Sequence, residues 1–205
     1  SATFGGWSQQ SVSLAGSAQP STAPGETMML LTENSANAIH QISIASGALS
    51  AGLHVFSADF LPAGRPKISL VFTGDSLGTL VLTADLVAGT ASIAGGTGIA
   101  LIAPVGGGRW RISLIFSAAA TETVTMRIRL LNDVGASTYT GDGVSGVYIG
   151  AGQLEAGDCP TSYIPTAGST VTRAADVAQV PLGAWWPGPD AGTMLADFEI
   201  PAVNQ

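Results

Sequence analysis

The residues most able to do chemistry are Gly74-Asp75-Ser76-Leu77-Gly78, which fit the G-x-S-x-G nucleophile pattern directly after the apolar run Ser69–Phe72. A serine nucleophile needs a base to take its hydroxyl proton, and that base is usually a histidine oriented by a carboxylate. The chain has two histidines, His40 and His54, and both precede Ser76. No helical periodicity follows the serine, so no strand-to-helix elbow is expected there. Gly, Asp and Ser are also the residues a tight turn prefers. The pattern therefore reads as a turn between strands, and the chain as a non-enzyme.

Other constellations are weaker. Gly96-Thr97-Gly98 lacks the third glycine and the surrounding βαβ unit of a dinucleotide loop. His40 and His54 have no Cys or carboxylate at zinc-ligand spacing, so no metal site is expected. Asp142 lies between glycines in Thr140–Gly146, where carbonyls and a carboxylate could hold a structural calcium ion. The clustered D-x-D spacing of a strong calcium loop is missing, so a hairpin turn is expected and no cofactor. Cys159 is the single cysteine, which excludes an intrachain disulfide. A sugar could stack on an exposed ring among Trp7, Tyr139, Tyr148, Trp185 and Trp186, with Asp142 as a polar neighbour. Trp110 alternates with apolar residues and is expected in the core.

These residues must be carried by strands. The sequence is 46% hydrophobic but only 10% charged, with 27 glycines and 11 prolines, a balance suited to many short strands joined by turns. In Trp110–Phe116 and Thr123–Leu131 apolar side chains alternate with polar ones, as in an antiparallel sheet with one covered and one wetted face. Leu53–Phe60 alternates likewise, with His54, Phe56, Ala58 and Phe60 on one face. About eight to ten such runs at close spacing predict an all-β, antiparallel two-sheet sandwich over residues 1–178. Within it, Gln153–Gly157 is expected as a turn after the last hairpin strand. Pro181–Gly192 is a proline- and glycine-rich break, so 179–205 is expected to be a linker and the first strand of a following domain. The net charge of −7 and the single lysine, Lys67, disfavour nucleic acid. No apolar run reaches the roughly 18–20 residues of a membrane-spanning helix.

Thr138–Val177 carries a more specific signal. The blocks Gly141–Ile149, Gln153–Gly157, Thr161–Thr166 and Val171–Asp176 closely resemble the signature of a jelly-roll domain of tailed-phage and prophage tail-fibre, tail-spike and receptor-binding proteins. Phe4, Trp7, Leu31–Asn34, His40 and Arg109–Ala118 follow in family order, so the resemblance covers roughly residues 4–178. Gly150 and Ala151 depart from it, because the family often has a bulky residue there. Cys159 also stands where the family more often has a small or an apolar aromatic residue. The resemblance implies a carbohydrate-binding-module-like jelly roll in the virion, attached to a host-surface polysaccharide or glycan. It also implies neighbouring tail-protein domains and a homotrimer in the full fibre. The alternative is a structural spacer or assembly domain with no ligand of its own. In either case the closing stretch is expected to serve the fold more than the ligand.

Overall fold

In a computed structural model of the chain, residues 4–166 apart from Pro24 are described; Trp185, Trp186 and the expected linker and strand at 179–205 lie outside them. A short 3-10 turn, Phe4–Gly6, precedes fourteen strands. They are β1 (Ser8–Gln10), β2 (Val12–Pro20), β3 (Thr27–Glu33), β4 (Asn37–Ile39), β5 (Gln41–Leu49), β6 (Gly52–Ala63) and β7 (Lys67–Gly74). There follow β8 (Gly78–Asp85), β9 (Thr90–Gly95), β10 (Ile99–Pro104), β11 (Trp110–Ala118), β12 (Glu122–Leu131), β13 (Thr138–Thr140) and β14 (Gly146–Ala156). No helix among the described residues is long and apolar enough to cross a membrane.

The strands build two six-stranded antiparallel sheets, β1-β5-β12-β7-β8-β9 and β10-β11-β6-β14-β3-β2, with β4 and β13 as a separate ribbon. The chain passes back and forth between the sheets, so β3-β14-β6-β11 faces β5-β12-β7-β8. That order is an eight-stranded jelly roll with one extra strand at each edge of each sheet. The alternation in sequence supplies the core. Phe56, Phe60, Ile112, Leu114 and Phe116 from the second sheet meet Ile42, Leu70, Phe72, Leu82 and Ile128 from the first. Phe72 stands edge-on to both Phe56 and Phe116, with ring centroids 5.4 Å apart in each pair.

Three sequence expectations are corrected. First, the outer face of the second sheet is not wetted: Val55, Ser57, Asp59 and Ser113 are buried although they alternate with core residues. The β2–β3 loop is tied down over this face, because Thr22 donates to the Asp59 carboxylate and Arg109 to the Pro20 carbonyl. The segment after β14 is held as well, through Ile164 N–H to Gln153 and Tyr163 O–H to Glu26. Second, Gln153–Ala156 is strand and not turn. A bulge between Gly150 and Gln153 holds Ala151 at φ 46°, after which β14 pairs again with Phe56 and its neighbours on β6. The missing bulky residue at 150–151 is consistent with that conformation. Third, Trp110 is half-buried at the start of β11, packed on the edge of the core.

The glycines of the signature have a steric cause at two positions. A Cβ on Gly141 would lie 2.0 Å from the Asn34 carbonyl oxygen, and one on Gly146 would lie 1.9 Å from that of Leu31. Both are backbone approaches that no side chain allows.

Several carboxylates that lock loops are held below their ordinary range. For Asp142 the side-chain hydrogen bond from Ser145 is the main cause, for Glu122 that from Ser76, and for Asp85 the backbone N–H of Ala88. Each contributes stability that is present above its unfolded value and lost as pH falls through the lower folded one. The unfolding midpoint in urea is therefore expected to hold from neutral pH down to the ordinary values of 4.5 and 3.8, then to fall below them. A midpoint that rose on acidification would contradict this assignment.

Candidate functional site

Ser76 sits in the β7–β8 turn and is exposed. Its hydroxyl donates to Glu122 Oε1 at 2.5 Å and accepts the Ala119 N–H at 3.0 Å. Glu122 also accepts the backbone N–H groups of Ser76 and Leu77 at 2.7 and 3.2 Å, so one carboxylate ties this turn to the start of β12. The histidines are engaged elsewhere. The His54 ring bonds the Ser50 carbonyl, and the His40 ring nitrogens lie 2.8 and 3.2 Å from the carbonyls of Ser11 and Tyr139. The G-x-S-x-G residues therefore form a braced turn. Cys159 is exposed and unbridged, and local desolvation followed by the Asp158 charge pushes its thiol away from the reactive thiolate.

The candidate aromatics are spread over different elements. Trp7 is buried against Phe4, with ring centroids 5.3 Å apart. Tyr139 is buried as well, and its hydroxyl donates to Glu33 Oε2 at 2.6 Å. Asp142 closes the expected turn by accepting the N–H groups of Val144 and Ser145. Tyr148 is half-buried on the outer side of the second sheet, between Leu30 and Leu61 on the adjoining strands. Among the described residues no group of three His, Cys, Asp or Glu side chains could hold a metal ion.

Tyr139 and Asp142 belong to a buried cluster that the sequence reading missed. Glu33, with a fully buried side chain, receives two bonds from Arg65, at 2.6 and 2.7 Å, and the Asp142 N–H at 2.8 Å. The Arg65 guanidinium also stands 5.0 Å over the Tyr139 ring. Burial is the largest single influence on Glu33 and pushes its carboxyl up. The bonds from Arg65, Tyr139 and Asp142 together outweigh it and hold the group below 4.5. Arg65 is raised in return, mainly by its bond to Glu33. Arg65 also lies 3.7 Å from the Asp142 carboxylate and 3.9 Å from that of Asp133, so its charge is balanced within the protein and the cluster acts as a clasp.

The outer face of the first sheet is covered only in part: Gln41, Ser69 and Val71 are buried on it, while Ser43, Thr83, Ser92 and two arginines reach solvent. Pleating sends Arg127 and Arg129 outward from β12, opposite the buried Met126, Ile128 and Leu130. Register sets Ser43 and Val71 on either side of Arg127, and Gln41 and Ser69 on either side of Arg129. Thr83 and then Ser92 continue the Arg129 row across β8 and β9. Arg127 donates to Thr73 Oγ1 at 3.0 Å; Arg129 donates to Gln41 Oε1 at 2.7 Å, and Gln41 in turn donates to Gln10. Both arginines are half-buried and still reach solvent. Burial first, and then the Arg127 charge, lower Arg129 from the ordinary arginine value. One row further along the same face is a cleft of about 270 Å³, lined by Lys67, Thr83, Asp85, Thr90 and Ser92 among others. Lys67 and Asp85 form a loose ion pair there at 3.8 Å. A face that presents partly exposed hydroxyl and guanidinium groups suits a hydroxylated ligand better than an apolar one. The alternation of Thr123–Leu131 was the available signal for it, since that pattern already set the two arginines on the wetted side.

No protein-family model and no curated protein matches the chain. Among solved structures it is similar to CBM35 from Cellvibrio japonicus Abf62, with a TM-score of 0.34 and 11% identity over 73% of this chain and 100% of that one. The jelly-roll assignment rests on the strand order.

Proposed function

We propose that this chain is a non-enzymatic attachment module of a phage tail fibre or receptor-binding protein, and that it holds a host-surface glycan on the outer face of its first sheet. The observation that carries this reading is the set of hydrogen-bonding side chains left partly exposed on one sheet face: Ser43, Thr73, Thr83, Ser92, Arg127 and Arg129. The other sheet is covered by the protein's own loops. The sequence resemblance of Thr138–Val177 supports the tail-fibre setting, and with it the virion location, neighbouring tail domains and trimeric assembly. The consumed hydroxyl of Ser76 supports binding without hydrolysis.

The full chain passed over immobilised surface polysaccharides of candidate host bacteria is expected to be retained by at least one and to release no sugar from it. Failure to be retained by any polysaccharide or by whole cells would favour the spacer alternative. Hydrolysis that fell in Ser76→Ala would replace binding with catalysis.

A further inference from the structure

The first-sheet face is also unusual in its charge. The chain carries fourteen Asp and Glu against seven Lys and Arg. Acids are thus plentiful, and Arg65, Lys67 and Arg111 each have one within 4.0 Å. Arg109, Arg127 and Arg129 have none among the described residues, and of these Arg109 is bound to the backbone carbonyls of Gly106 and Pro20 instead. Each guanidinium of the Arg127 and Arg129 pair carries five N–H donors and bonds a single neutral side chain, Thr73 or Gln41, so most of its donors meet no described protein acceptor. Two like charges two residues apart on one strand stand about 6.6 Å apart along it and repel, which a fold gains nothing from unless a counter-charge arrives. A planar guanidinium fork suits a carboxylate, and the flanking Ser43, Thr83 and Ser92 hydroxyls suit the ring hydroxyls beside it.

Resting on the glycan-binding reading above, we infer that the ligand of this face is an acidic polysaccharide whose uronate carboxylates are held by Arg127 and Arg129. The charge is local: the rest of the chain is acidic, so attraction of polyanions in general is opposed by the net charge of −7. Only a polymer that sets its carboxylates on the arginine pair and its hydroxyls on the flanking strands gains from both.

The test is affinity electrophoresis and titration of the full chain with polygalacturonate and with the same polymer after carboxyl reduction. Polygalacturonate is expected to bind and to weaken with added salt, and the reduced polymer to bind at least tenfold more weakly. Arg127→Gln and Arg129→Gln are each expected to lower the affinity about tenfold, the loss of a charged hydrogen-bond partner. Arg109→Gln makes the same charge change in the β10–β11 loop and is expected to leave binding unaltered. Equal binding of both polymers, or full affinity in the double variant, would overturn acidic recognition yet leave glycan attachment standing. Equal loss in Arg109→Gln would also overturn it, by assigning the effect to bulk charge. If neither polymer binds, the acidic inference falls. The glycan reading falls with it only if a panel of neutral polysaccharides also fails.

Discussion

Arg65→Met is expected to lower the free energy of unfolding by about 3–5 kcal/mol, the cost of removing one partner of a buried ion pair. For a chain of this size that is a fall in Tm of very roughly 6–20 °C. The magnitude follows from what remains. Glu33 keeps its place at the end of β3, its side chain fully buried, with the Tyr139 hydroxyl and the Asp142 N–H as the only other partners of that side chain among the described residues. Burial, the largest influence on this carboxyl, would then act without the guanidinium that offsets it. The pH dependence separates this cause from simple loss of packing. In the parent protein the folded Glu33 lies below 4.5, so its contribution is present above that value and lost as pH falls through the lower folded one. The difference between parent and Arg65→Met should therefore shrink as pH drops below 4.5. Glu33→Gln combined with Arg65→Met should cost less than the sum of the two single changes, because the pair is coupled. A deficit that is independent of pH and additive across the pair would mean that Arg65 acts through its aliphatic stem alone.

This clasp bears on how much was legible in the sequence. Alternation located the strands of the core, and Phe56, Phe60, Leu114 and Ile128 are buried as their parity requires. Strand order follows from no local pattern; it is set by which apolar faces can meet, and became plain only in three dimensions. Parity also failed wherever a loop folded over a sheet. Ser57, Asp59 and Ser113 occupy outward positions and are still buried. Glu33, Arg65 and Tyr139 are far apart in sequence, and no spacing rule joins a strand end, a Gly-Arg-Pro bend and a ribbon strand. The signature stretch was legible as a closing element, and the structure supplies its physical content: Gly141 and Gly146 admit close backbone contacts, while Tyr139 and Asp142 engage Glu33. The arginine face was half legible. The side on which Arg127 and Arg129 lie could be read from the alternation, but their lack of acidic neighbours depends on strands brought alongside from elsewhere in the chain.

Asp59→Asn is expected to be the second large loss, about 3 kcal/mol or more, and to act on the opposite side of the sandwich. The fully buried Asp59 carboxylate receives only donors: Arg111 Nη1 at 3.0 Å, and the Thr22 N–H and hydroxyl. An amide at that position must point its own N–H groups at one of these donors, and it removes the charge that balances Arg111. Arg111 would keep the Ser57 hydroxyl and the Ala151 carbonyl, so the bulge of β14 should stay anchored while the β2–β3 loop loses its hold. Two measurements separate this from general unfolding. Limited proteolysis below the Tm should cut first near Thr22 and Ala23, earlier than in the parent protein. Polysaccharide binding at the same temperature should be unchanged, because the arginine face belongs to the other sheet and shares no hydrogen bond with Asp59. If binding fell together with the new cleavage, the ligand would have to lie on the second sheet beside Tyr148, and the assignment to the first sheet would be wrong.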